Sequence, residues 1–118
     1  MDQDNPRKTA DAFISQATPL DLGELVAYQQ GAIVSRTLLK GASGSVTLFA
    51  FDKDQALSEH TTPFEALALV LEGEGEFVVG GKALRLKAGE IVRMPSNIPH
   101  GLRASSRMKM LLTMLNKA

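Results

Sequence analysis

Between Ala32 and Leu115 the chain is a succession of short apolar runs, each closed by glycine or by a cluster of polar residues. The runs cover 32–39, 46–51, 66–72, 76–80, 82–87, 90–94, a stretch opening at His100, and 108–115. They recur at roughly eight to twelve residues and are rich in Val, Ile, Leu, Phe and Thr, which is the spacing and composition of antiparallel strands. Gly80-Gly81 and Ala88-Gly89 supply tight turns, and Gly73-Glu74-Gly75 reads as a hairpin-like connection. Met108 to Leu115 has helical propensity, but its alternation of Met108, Met110, Leu112 and Met114 with Lys109, Leu111, Thr113 and Leu115 is that of a strand. The spacing predicts an all-β single domain, an antiparallel barrel or jelly-roll-like sandwich. Residues 1–15 are expected to be a loose tail and 16–118 the barrel domain, with an edge strand from Leu22 to Tyr28.

The 118 residues suffice for one hydrophobic core. Thirteen basic and thirteen acidic side chains cancel, so no net field draws nucleic acid or a membrane surface. The two signs are unevenly placed: residues 1–79 carry five bases and twelve acids, residues 80–118 eight bases and one acid. Interleaving of the two halves in space is the expected consequence, in preference to a basic binding face. Cysteine is absent, which excludes disulfides and thiolate metal sites. The N-terminal stretch has no apolar core of a signal peptide and the longest apolar run is too short to cross a bilayer, so a cytoplasmic location is expected.

His60 and His100 are the two histidines of the chain, and each sits at the mouth of a predicted strand. Thr62, two residues on from His60, shares its face at roughly 6.5 Å in an extended chain. Two imidazoles facing each other inside a small barrel, with a carboxylate from Glu59 or Glu65, would suit Fe(II), Mn(II), Ni(II) or Zn(II). The competing reading is a pair of strand-end histidines that each bond a loop carbonyl. Arg93 is expected to face solvent, Phe49, Phe51 and Phe77 to fill the core, Phe64 to stand at a pocket rim, and the methionines to be core filler.

The stretches 59–75 and 88–104 resemble the two consecutive motifs of the cupin superfamily, in the form carried by small single-domain, conserved-barrel members. The likeness spans about residues 54–104, with Gly73, Gly89, Pro95 and His100 in register together. It implies a jelly-roll-like double-stranded β-helix, often dimeric, whose interior holds a divalent metal on three histidines and a glutamate in many members. Residue by residue, His60 takes the place of the first histidine and His100 that of the third. Thr62 stands at the second histidine, Ala66 at the glutamate, Asp54 and Asn97 at two motif glycines, and Ala104 at the final asparagine. Glu65 is one position out of register, and only a bulge beside Pro63 would turn it inward.

The resulting expectation is a barrel that binds a small molecule in a pocket formed by His60, Thr62, Phe64, Met94 and His100, with a weakly held divalent metal on His60, His100 and Glu65 as an option. The alternative is a metal-dependent dioxygenase or isomerase acting on a small acid or sugar-like substrate. A homodimer is expected because small barrels leave strand edges to cover, with the Leu22–Tyr28 strand and the Met-rich C-terminal strand as candidate edges. Neither a nucleic-acid nor a membrane partner is expected.

Overall fold

The computed structural model describes residues 17–117. These form nine strands: β1 (Ile33–Gly41), β2 (Gly44–Phe51), β3 (Ala56–His60), β4 (Glu65–Glu72), β5 (Glu74–Val79), β6 (Lys82–Lys87), β7 (Ile91–Met94), β8 (His100–Ala104) and β9 (Met108–Leu115). All pairings are antiparallel, in a five-stranded sheet β1-β2-β9-β4-β7 and a four-stranded sheet β3-β8-β5-β6. The two sheets face each other as a jelly-roll-like sandwich, each keeping its own hydrogen-bonded ladder. No helix among the described residues is long and apolar enough to cross a membrane.

Three local readings are corrected. Gly73 is not the tip of a hairpin, because β4 pairs with β7 and β9 while β5 pairs with β6 and β8. It is the corner where the chain leaves one sheet for the other. Its φ is +73°, and a Cβ there would lie 1.9 Å from the Arg107 carbonyl oxygen, so both backbone and space demand glycine. Residues 56–60, ahead of His60, form a strand that the polar composition of the neighbouring loop had hidden. Leu22–Leu25 is a 3-10 turn rather than an edge strand, with the Asp21 carboxylate accepting from the Gly23 amide.

That N-terminal segment lies across the outer face of the five-stranded sheet. Val26 is buried with Leu38, Leu48 and Ala50, flanked by Leu22, Leu25, Tyr28, Leu71 and Leu111. Lys109 Nζ donates to the Gly23 carbonyl at 2.6 Å, Arg36 to the Leu25 carbonyl at 3.0 Å, and the Tyr28 hydroxyl to Glu72 at 2.9 Å. Burial, followed by the bond to Glu72, pushes the Tyr28 phenol above its ordinary pKa. The N-terminal segment, a strap over this face, accounts for part of the unbroken apolar run of β4: Ala66, Ala68 and Val70 point inward and Leu71 packs under the strap, whereas Leu67 stays exposed. Neither element proposed for a dimer contact is a sheet edge, since the strap is not a strand and β9 lies at the centre of its sheet.

The charge asymmetry resolves as interleaving. Seven ion-pair contacts each join an acid from residues 1–79 to a base from residues 80–118: Arg85 with Glu74 and Glu76, Arg93 with Glu65, Arg103 with Asp54 and Glu76, Arg107 with Asp52, and Lys109 with Glu72. Most are exposed, so each contributes little, about 0–1 kcal/mol.

Candidate functional site

Antiparallel pairing of β3 with β8 sets His60 directly opposite His100. The ring centroids lie 4.6 Å apart at 63°, an edge-to-face contact. Each ring also bonds its own loop: His60 Nδ1 is 2.9 Å from the Ser58 carbonyl oxygen, and His100 Nδ1 is 3.1 Å from that of Ile98. A carbonyl only accepts, so each Nδ1 carries a hydrogen and donates it. In the neutral ring the other nitrogen, Nε2, is then left as a bare acceptor. The loop-carbonyl bonds and the close approach of the two rings therefore coexist, and the carbonyls engage only one nitrogen of each ring.

Both histidines line a cavity of about 330 Å³ between the sheets. Thr62 and Met94 line it as well, with Phe49, Leu57, Ala66, Leu102, Met110, Leu112 and Met114 forming an apolar wall. His60 and the half-buried Thr62 stand at the accessible side, whereas His100 and Met94 are buried. The hollow exists because a small residue faces it. Ala66 sits between Met94 on β7 and Met114 on β9 in the sheet register, so no large side chain fills that side. The sequence reading missed Phe49, Leu57 and the β9 residues as lining. The period-2 alternation of β9 contained that signal, since Met110, Leu112 and Met114 share one face.

Phe64, expected at the rim, is half-buried outside the lining; its amide donates to Thr62 Oγ1 at 3.3 Å and closes a tight turn. Glu65, expected as a ligand, is turned away. β4 runs in unbroken register from Glu65 to Val70 against β9, so Ala66 faces inward and Glu65 outward. The Glu65 carboxylate accepts from Arg93 Nε at 2.9 Å and from the Ser96 amide at 3.1 Å. The Ser96 amide first, and then Arg93, lower its pKa from 4.5 to about 2.

This donor set does not fit the four-ligand divalent centre that the resemblance implies. Two imidazoles reach the cavity, Thr62 and Ala66 stand at the other two ligand positions, and the neighbouring carboxylate is committed to Arg93. Among the described residues, no group of three or more His, Cys, Asp or Glu side chains is placed to hold a metal.

The motif departures at Asp54 and Asn97 have a backbone explanation. Their φ values are +72° and +61°, the left-handed region for which glycine is the usual choice and Asp and Asn the next best. The Asn97 amide donates to the Thr62 carbonyl at 2.7 Å and ties the loop before His100 to the loop after His60. Asp54 pairs with Arg103 at 2.7 Å. The bends survive the loss of both glycines.

Comparison with known proteins agrees with this geometry. A search of curated proteins returns no match. Among solved structures, a conserved Streptococcus pyogenes protein of unknown function is 32% identical, covering 89% of this chain and 92% of its own, with a TM-score of 0.84. A cupin 2 conserved barrel domain protein from Leptotrichia buccalis is 39% identical over 82% of this chain and 47% of its own, with a TM-score of 0.79. A cupin superfamily protein from Desulfitobacterium hafniense, 24% identical over 88% of this chain and 95% of its own, shares the fold at a TM-score of 0.83. The family model described as the cupin domain matches residues 47–115, which hold both histidines and the whole cavity lining. This chain belongs to the cupin domain family.

Proposed function

We propose that this protein is a binding barrel that takes a small neutral molecule into the cavity beside His60 and His100, without a metal. The observation that carries the reading is the lining: one apolar hollow with three polar side chains, His60, Thr62 and His100, and no carboxylate, lysine or arginine. Binding pockets are mostly apolar with a few convergent polar groups that fix orientation, and about 300 Å³ lies at the small end of their range. A divalent-metal enzyme would need donors that Thr62, Ala66 and the outward Glu65 do not provide.

Methionine methyl resonances provide the test. Met94, Met110 and Met114 line the cavity, whereas Met108 is fully buried outside it and serves as an internal control. Titration with toluene as a neutral probe is expected to shift the three lining methyls and leave Met108 in place. Ala66→Leu, which fills the hollow between Met94 and Met114, is expected to abolish those shifts while the thermal midpoint changes little. Toluene shifts at Met108 alone, or none at all, would remove this reading. Stoichiometric uptake of Zn(II) or Ni(II) that disappears in His60→Ala would replace it with the metal-dependent one.

A further inference from the structure

We infer that the ligand of this cavity is a single-ring aromatic molecule carrying a neutral hydroxyl, a phenol-type compound, held by the ring nitrogens of His60 and His100; this rests on the binding role proposed above and specifies its chemistry.

The polarity of the site comes from its hydrogen bonds. Because the Ser58 and Ile98 carbonyls each hold an Nδ1 hydrogen, both Nε2 atoms are acceptors, and neither ring can offer its second nitrogen as a donor while neutral. Thr62 completes the set. Its oxygen accepts from the Phe64 amide, so its own hydrogen remains available to donate. A partner that donates to an imidazole and accepts from a hydroxyl is matched by another hydroxyl. A carboxylate brings only acceptors and a charge, with no lysine or arginine in the lining to meet it. An ammonium brings only donors and finds no carboxylate there.

The rest of the lining selects the body of the molecule. Met94, Met110 and Met114 place three thioethers around the hollow, and Phe49 adds a ring. Polarisable sulfur at a ring edge is a favourable partner for an aromatic ligand, and methionine adapts its shape to a flat one. An apolar cavity of roughly 150 Å³ accepts one benzene. The volume here, about 330 Å³, accommodates one substituted ring.

Four probes of similar outline separate the possibilities when titrated against methyl-labelled protein: p-cresol, 4-methylanisole, toluene and p-toluate. Expected is binding of p-cresol at least tenfold tighter than 4-methylanisole, which keeps the ring and the oxygen but has no hydrogen to donate. Binding of p-toluate is expected to be weaker still. The preference for p-cresol over 4-methylanisole should collapse to less than threefold in His60→Phe, which keeps an aromatic ring at the exposed position but has no nitrogen. A ligand-free readout stands beside this: long-range proton–nitrogen spectra at neutral pH should show both histidines protonated on Nδ1. Equal affinity for p-cresol and toluene leaves the apolar binding role standing and overturns the hydroxyl inference, as does tighter binding of p-toluate. Failure of all four to shift Met94, Met110 or Met114 overturns both. Nε2-protonated tautomers would sink the inference whatever the affinities.

Discussion

The interior has two ends built by different rules. At one end Phe51, Val70, Phe77 and Met108 are almost wholly buried and the sheets meet through large side chains. At the other, the same strands present Phe49, Ala66, Leu112 and Met114 to a hollow, and the opposite sheet presents His60, His100 and Leu102. The filled end is held by close packing. The hollow end is held at its rim by directional bonds: Asn97 to Thr62, Phe64 to Thr62, and Glu65 to Arg93 and Ser96. β2, β4 and β9 each pass through both environments, so the difference lies in side-chain volume and loop chemistry rather than in backbone architecture. Packing density sets stability at one end, and the other end gives up some of that density for a cavity.

The largest contrast should appear on truncation. Phe77→Ala is expected to cost about 3–5 kcal/mol, because a fully buried ring leaves a void that its neighbours cannot fill. Met114→Ala, at a partly buried position already beside open space, should cost only about 1–2 kcal/mol. Urea unfolding with an unchanged slope measures both. Equal losses would mean that the hollow end is packed as tightly as the filled one.

The two ends also differed in how far the sequence disclosed them. Phe51 and Phe77 could be assigned to the core because they are large and apolar within alternating strands, and a pattern with period 2 is local. His60 and His100 were identifiable as strand-mouth residues, but their 4.6 Å approach depends on the pairing of β3 with β8, forty residues apart along the chain. Glu65 attracted attention as a carboxylate near His60, and only the register of β4 against β9 decides that it faces out. Gly73 announced a turn, but a glycine motif does not record whether the turn stays in one sheet or crosses to the other. Bonds from the two histidines to loop carbonyls could be anticipated from their strand-end positions, but that Nδ1 is the nitrogen engaged in each ring could not be read from residue order.

A smaller effect tests the rim. Asn97 holds φ +61° on the loop between Met94 and His100. Asn97→Val places a β-branched residue in that conformation and should cost about 1–2 kcal/mol. Asn97→Gly should be close to neutral, since glycine adopts the same conformation without strain. The comparison sharpens if the valine variant also weakens toluene binding, because the Asn97–Thr62 bond couples the two loops that flank the cavity. Loss of stability with binding intact would show instead that the rim and the hollow are independent.

The smallest expected effect concerns acid. Glu65 fastens β4 to β7 through Arg93 and to the following loop through the Ser96 amide, and its folded-state pKa is lowered from 4.5 to about 2. The sign follows from proton binding: between those values the unfolded chain binds more proton at this group than the folded one does. The stabilisation is therefore fully present above pH 4.5 and fades as pH falls towards about 2. Glu65→Gln should lower the thermal midpoint slightly at neutral pH, and the gap from the parent protein should close on acidification through that window. Methyl resonances of Met94 should respond to the same titration before those of Met108, because Met94 directly follows Arg93 whereas Met108 lies in the filled end. A gap that stays constant from pH 7 to 2 would detach Glu65 from the rim, and simultaneous changes at Met94 and Met108 would make the two ends one cooperative unit.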